Sequence, residues 1–473
     1  MKKKILTLLI VACCFTLKAQ YTKLFDFGGT ENGDSPRCSL ISDGTFLYGT
    51  TPTGGTRTHG TIFKIKPDGT GYVKLMDFSG SLNGSTPYGS LVYDGTFLYG
   101  MTAVGGINGM GTIFKIKPDG TGYIKLMDFA GAVNGRNPYS SLIFDGTFLY
   151  GMTNGGGTNT LGTIFKIKPD GTGYTKLIDF SGVLNGRHPY GSLISDGTFL
   201  YGMTSSGGTS DSGTVFKILP NGTGYLKLMD FAGSSSGKWP YGSLFYDGTF
   251  LYGMTQGGGT SGMGTMFKIK PDGTRYVKMI DFAGASNGKL PCGSLIYDGT
   301  FLYGMTKGGG TSDQGTVFKI IPDGTGYIKL MDFSGGVNGS DPFGSLIFDG
   351  TFLYGVTEFG GANNMGSIFK YGSVVGMTEN YVEKDFKIYP NPSTGEFSIQ
   401  LTEGSVISPF KIEIYNLLGN LVYQSYLSPS EYINNGVNCK KENINIYIEQ
   451  KGIYFINIKT EKGTLTKKII INK

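Results

Sequence analysis

The chain has 473 residues with 80 glycines, 30 tyrosines and 32 phenylalanines, 16% charged residues and a formal charge of +6. Lys2, Lys3, Lys4 and Lys18 supply +4 of that charge, so the rest of the chain is near neutral and a basic nucleic-acid-binding surface is excluded as its organising feature. Five cysteines without a CxxC or His/Cys cluster exclude a disulfide scaffold and a zinc site.

Residues 1–20 read as a signal peptide. Three lysines precede an apolar stretch, Ile5 to Leu17, that is too short to span a bilayer. Cleavage is expected after Ala19. A rival reading is a lipobox, Ile10-Val11-Ala12-Cys13, which would leave a lipidated Cys13. No other stretch is apolar enough to cross a membrane as a helix, so the mature chain is expected to lack a transmembrane segment.

Residues 21–373 are one unit written over and over. Its FLYG tyrosine recurs at Tyr48, Tyr99, Tyr150, Tyr201, Tyr252, Tyr303 and Tyr354, a step of 51 residues without insertion. A period of that size marks a solenoid, propeller or array. The second copy predicts four strands: a, Ser90 to Tyr93; b, Phe97 to Thr102; c, Thr112 to Lys117; and d, Tyr123 to Phe129. They are rich in aromatic and β-branched residues, and Asp-Gly pairs between apolar runs signal hairpins. Four antiparallel strands per repeat make a propeller blade. The ends fix the count. The region opens on a lone strand d, Tyr21 to Phe27, and its last copy stops after strand c at Lys370. Seven complete blades result only if the first strand joins the last blade, which also hides the edge an open array would leave. The fold expected is all-β: a seven-bladed β-propeller closed by its N-terminal strand.

The pattern DGTFLYGxT–GG–GTIFKIKPDGT–KLxDF resembles the GloVer (Gloeo/Verruco) tandem repeat of bacterial surface proteins, over Tyr21 to about Tyr371. The a-b-GG-c-d order is also kelch-like, without the tryptophan typical of a kelch strand d. The resemblance implies architecture and little chemistry.

A short polar linker, 374–384, precedes a change of composition: glycine thins out while asparagine, isoleucine and lysine rise. Residues 385–473 predict a small β-sandwich from alternating segments such as Ile412 to Tyr415 and a closing pair, Gly452 to Lys459 and Thr466 to Ile471. The YPNPSTG opening at Tyr389, the IYNLLG segment at Ile414 and the GIYFI…KKIIINK ending resemble the C-terminal sorting domain of the type IX secretion system of Bacteroidetes. That resemblance implies the type IX machinery as partner and a destination in the medium or on the cell surface.

Within the ring, the aspartate of KLxDF recurs as Asp26, Asp77, Asp128, Asp179, Asp230, Asp281 and Asp332. Strand parity puts Asp77 on the face of Val73 and Leu75, pointing into the blade. A structural role is expected, with donors from the glycine-rich loop that follows. The d–a and b–c loops emerge on one face and hold the variation, as sites on repeated scaffolds do. Arg136, Arg187, Lys238 and Lys289 stand on consecutive d–a loops, beside Asn137, His188 and Trp239 and followed by Tyr139, Tyr190 and Tyr241. Cations beside exposed aromatics suit sugar stacking and acidic groups. These ten residues are the expected ligand site, with an extracellular glycan as ligand class and no metal, cofactor or nucleic acid. His59 and His188 are unpaired and no serine sits in GxSxG, so a non-catalytic role is expected. The alternatives are a polysaccharide-degrading enzyme and a structural surface spacer.

Overall fold

The computed structural model describes residues 21–372, 386–401, 410–416, 421–427, 443–460 and 463–472. The expected signal peptide with Cys13 and Ala19, the 374–384 linker and Cys439 lie outside them. No helix occurs among the described residues.

Each blade is built from its turns inward. In the second copy the strands are Val92–Tyr93, Leu98–Thr102, Thr112–Ile116 and Ile124–Asp128, hydrogen-bonded in that order and antiparallel. The turn aspartate Asp94 accepts the N–H groups of Thr96 and Phe97 on Oδ1 and the Tyr99 hydroxyl at 2.8 Å on Oδ2. The FLYG tyrosine can therefore be buried with its polar end satisfied. The same pair forms in every copy, from Tyr48–Asp43 to Tyr354–Asp349. Behind the tyrosine, Gly100 gives Phe114 its room: a Cβ there would lie 2.5 Å from Phe114 Cζ. Strand a is shorter than expected because the Ser90 backbone turns away from its own blade to bond the next one.

Seven four-stranded sheets of this order are present. Two features join them into a ring. Apolar clusters span each pair of neighbours; Tyr48 and Ile62, for example, pack with Leu91, Leu98 and Phe114 of the next blade. A belt of serines then circles the axis. Ser39, Ser90, Ser141, Ser192, Ser243 and Ser294 each donate a backbone N–H to the hydroxyl of the serine 51 residues on, at 2.7–2.8 Å. Ser345 completes the belt by donating to Ser39 at 2.9 Å. At the seam, Tyr21–Asp26 pairs with Ser367–Tyr371, so the first strand becomes strand d of the last blade. Phe27, Leu40 and Phe63 pack there against Tyr354, Val356 and Ile368. The fold is a β-propeller closed by its N-terminal strand.

The C-terminal strands form a three-stranded and a four-stranded sheet. Alternate residues of both, among them Phe397, Ile399, Ile412, Ile456 and Ile469, share one buried core. The expected closing pair is present as Gly452–Thr460 against Gly463–Ile471.

Candidate functional site

The axis opens on the loop face into a cavity of about 210 Å³, lined where each d–a loop enters strand a. Each copy contributes a side chain, a small residue and a belt serine. The side chains are Arg37, Tyr88, Tyr139, Tyr190, Tyr241, Cys292 and Phe343. Four tyrosines form a continuous arc: Tyr88 meets Tyr139 edge-on at 5.2 Å, Tyr139 stacks on Tyr190 at 4.7 Å, and Tyr190 leans on Tyr241 at 4.6 Å. At Gly191 the approach is tightest, since a Cβ there would lie 2.1 Å from the Gly242 carbonyl oxygen, while Cys38 and Ser140 hold the equivalent place in two other copies. Burial raises the hydroxyl pKa of Tyr139, Tyr190 and Tyr241, so they enter the cavity as neutral phenols. Burial also pushes the Cys292 thiol up to about 11, and its sulfur accepts a bond from Gln256 Nε2 at 3.2 Å.

Arg37 breaks the aromatic series. Its Nε, at 2.8 Å, and its Nη2 both donate to Oε1 of Glu358, a residue 0% exposed in the last copy. Lys307 approaches the other oxygen of Glu358 at 3.3 Å. The guanidinium lies 5.2 Å from the Tyr88 ring and 5.4 Å from the Phe343 ring. The buried carboxylate is thus paired with two cations, while its Oε2 accepts no hydrogen bond among the described residues. Among the residues lining the cavity, Arg37 is the one that carries a charge. Sequence reasoning missed it; the signal was a cation in a position otherwise held by aromatics and one cysteine.

The expected ligand residues divide into two groups. Tyr139, Tyr190 and Tyr241 meet at the axis. Asn137, His188 and Trp239 occupy a position that is never glycine and whose seven occupants all have φ between 51° and 60°. Its backbone joins neighbouring blades: Trp239 donates its N–H to the Ser212 carbonyl and accepts from the Gln256 N–H, each at 3.0 Å. Asn137 and His188 also turn their side chains to the preceding blade, bonding the carbonyls of Ala103 and Asn154. Trp239 is 40% exposed, and the Lys238 ammonium sits 4.0 Å over its ring. Arg187 and Lys289 are bound to the b–c loop aspartates Asp211 and Asp313, at 2.6 and 2.7 Å. Two of the four cations are thus paired, and only Arg136 and Lys238 lack an acidic partner among the described residues.

The KLxDF aspartates sit differently from the parity argument. Strand d carries a bulge: Lys74 pairs with Phe63 and Met76 with Ile62, leaving Leu75 as the extra residue. A bulge shifts alternation by one. Asp77 therefore shares the face of Lys74, to which it is bound at 2.9 Å. All seven aspartates make this ion pair, at 2.7–2.9 Å, and are 17–29% exposed. For Asp77, Asp128, Asp179 and Asp281 a backbone donor comes from the b–c loop, as Thr56 N–H to Asp77 at 3.1 Å, where the loop that follows was expected to supply it. Burial alone would raise Asp179, but bonds from Lys176 and Thr158 outweigh it and hold the carboxyl below its ordinary value.

Family comparison matches the Gloeobacter/Verrucomicrobia repeat over residues 13–147, 92–250, 134–297 and 235–388. The secretion system C-terminal sorting domain matches 387–472. A search of curated proteins found no match. Among solved structures, the chain is similar to the extracellular domain of a protein assigned as a hybrid two-component system of B. thetaiotaomicron. That match has 14% identity and a TM-score of 0.53, covering 80% of this chain and 44% of that one. It is also similar to the GH74 xyloglucanase from Xanthomonas campestris, at 12% identity and a TM-score of 0.52, covering 81% of this chain and 59% of that one. The chain thus spans less than two thirds of either structure, and the likeness is one of fold.

Proposed function

The chain belongs to the Gloeobacter/Verrucomicrobia repeat family and ends in the sorting domain of type IX secretion substrates, and on that premise we propose that it is an exported binding protein for glycans. Type IX substrates are secreted or attached to the cell surface, so its ligands are met outside the cell. The observation that carries the binding reading is the tyrosine arc at the axis, from Tyr88 to Tyr241. Phenol rings gathered at a concave mouth offer apolar faces to a sugar ring and hydroxyls to its polar edge. A spacer has no need of such a mouth, with one arginine breaking its series.

The rival reading is catalytic, and the xyloglucanase among the fold neighbours makes it concrete. Glycoside hydrolysis commonly uses a pair of carboxylates flanking the bond to be cut. The axial lining supplies tyrosines, serines and Arg37 instead, which favours binding over cleavage. Incubating the exported protein with a polysaccharide panel separates the readings. Retention of the protein by at least one polysaccharide, with no new oligosaccharides by chromatography, is the expected result. Products that accumulate with time would make it an enzyme; no retention by any glycan would leave the spacer.

A further inference from the structure

We propose that the axial cavity takes the terminal residue of an acidic glycan, a uronate, with its carboxylate on Arg37. This rests on the glycan reading above and adds a site, a charge and a mode of binding. Size comes first. A cavity of about 210 Å³ is smaller than the roughly 300–1,000 Å³ of pockets for drug-sized ligands, and it suits one sugar ring rather than a run of them. A chain end enters such a mouth, whereas an internal segment lies across it.

Charge comes second. Arg37 is the one charged residue lining the cavity. Its hydrogen bonds among the described residues all go to Glu358 Oε1, through Nε and Nη2, so Nη1 keeps both its donors. The guanidinium is held by that carboxylate and lies over the rings of Tyr88 and Phe343. Lys307 also faces Glu358, so this acid does not neutralise Arg37 alone. A planar, preoriented donor pair is the form in which arginine recognises carboxylates.

Polar complement comes third. Every belt serine hydroxyl accepts one backbone N–H and retains its own hydrogen to donate. The Tyr139–Tyr190 stack stands on the other side of the mouth. The charge of Arg37 is felt at both phenols, which places the carboxylate partner and the stacking faces around one small space. Arg37 breaks the aromatic series in the first abc set, and Glu358, at a position that differs in every copy, meets it from the last. A seam lock would explain the pair, but not the free Nη1 or the cavity it borders.

Titration calorimetry on the full exported chain tests this, using galacturonate and glucuronate oligosaccharides of two and six residues and neutral galactose oligosaccharides of the same lengths. Acidic oligosaccharides of one series should bind one per chain, with Kd changing less than about threefold from two to six residues. Neutral ones should bind at least roughly tenfold more weakly. Arg37→Gln alone strands a buried carboxylate, so Arg37→Gln/Glu358→Gln is the variant of choice. It should bring acidic ligands down to the neutral level with thermal unfolding little changed. Affinity that climbs with length and ignores the double variant would move the glycan elsewhere on the loop face, overturning this proposal while the glycan reading stands. Neutral and acidic sugars bound alike would overturn it too. Binding of peptides through their C-terminal carboxylate, with no sugar bound, would overturn both.

Discussion

Left-handed backbone is spread through the ring, and most of it falls on glycine. Arg275 is an exception that can be measured. Its equivalents Gly71, Gly122, Gly173, Gly224 and Gly326 have φ of 64–66°, and exposed Arg275 is held at 52°. A side chain there pays the steric cost of the left-handed region, partly offset by the greater freedom glycine has when unfolded. Arg275→Gly should therefore raise stability by about 0.5–1 kcal/mol in urea denaturation; a loss would reveal a contact made by the arginine. The same scale shows where sequence reading stops. The Asp-Gly turns and the period carried by the FLYG tyrosine were legible because they recur at fixed spacing, whereas the bond that joins Tyr99 to Asp94 was not. The bulge at Leu75 was not, because no residue type marks it, and one unpaired residue turned Asp77 from the expected face to that of Lys74. Arg37 was overlooked because its importance lies in meeting Glu358, 321 positions away.

At the scale of the blade, the alternation of large and absent side chains sets the packing. Gly100 lies outside the left-handed region, so only space requires it: Phe114 Cζ would stand 2.5 Å and Leu91 Cδ2 2.9 Å from a new Cβ. Gly100→Ala should cost about 1–3 kcal/mol, as overpacking of a close-packed core does. Phe114→Leu in the same chain should recover part of that loss, because it withdraws the atom in the way. Additive losses in the double-mutant cycle would show that the blade yields somewhere other than at Phe114. Strand order and the a–d assignment were legible from the period and the turns. The ends were not: strand a gives up Ser90 to the belt, an interaction between copies that one copy does not display.

At the scale of the molecule, closure and function meet at the seam. Removing Tyr21–Phe27 takes strand d from the last blade and Phe27 from the closing cluster. The truncated chain should melt at a sharply lower temperature or fail to fold; an unchanged melting temperature would mean the ring does not depend on this strand. The central claim is that an exported ring binds glycan with its loop face. The most direct measurement is affinity electrophoresis through gels containing an acidic polysaccharide that retards the parent protein, comparing one substitution on each face. Tyr190 lines the axial mouth, while exposed Thr147 sits on the a–b turn at the opposite face. Tyr190→Ala should weaken retardation by roughly five- to tenfold, by analogy with other stacking platforms, while Thr147→Glu should run as the parent does. Equal retardation of the parent and Tyr190→Ala, with the loss appearing in Thr147→Glu, would contradict the account.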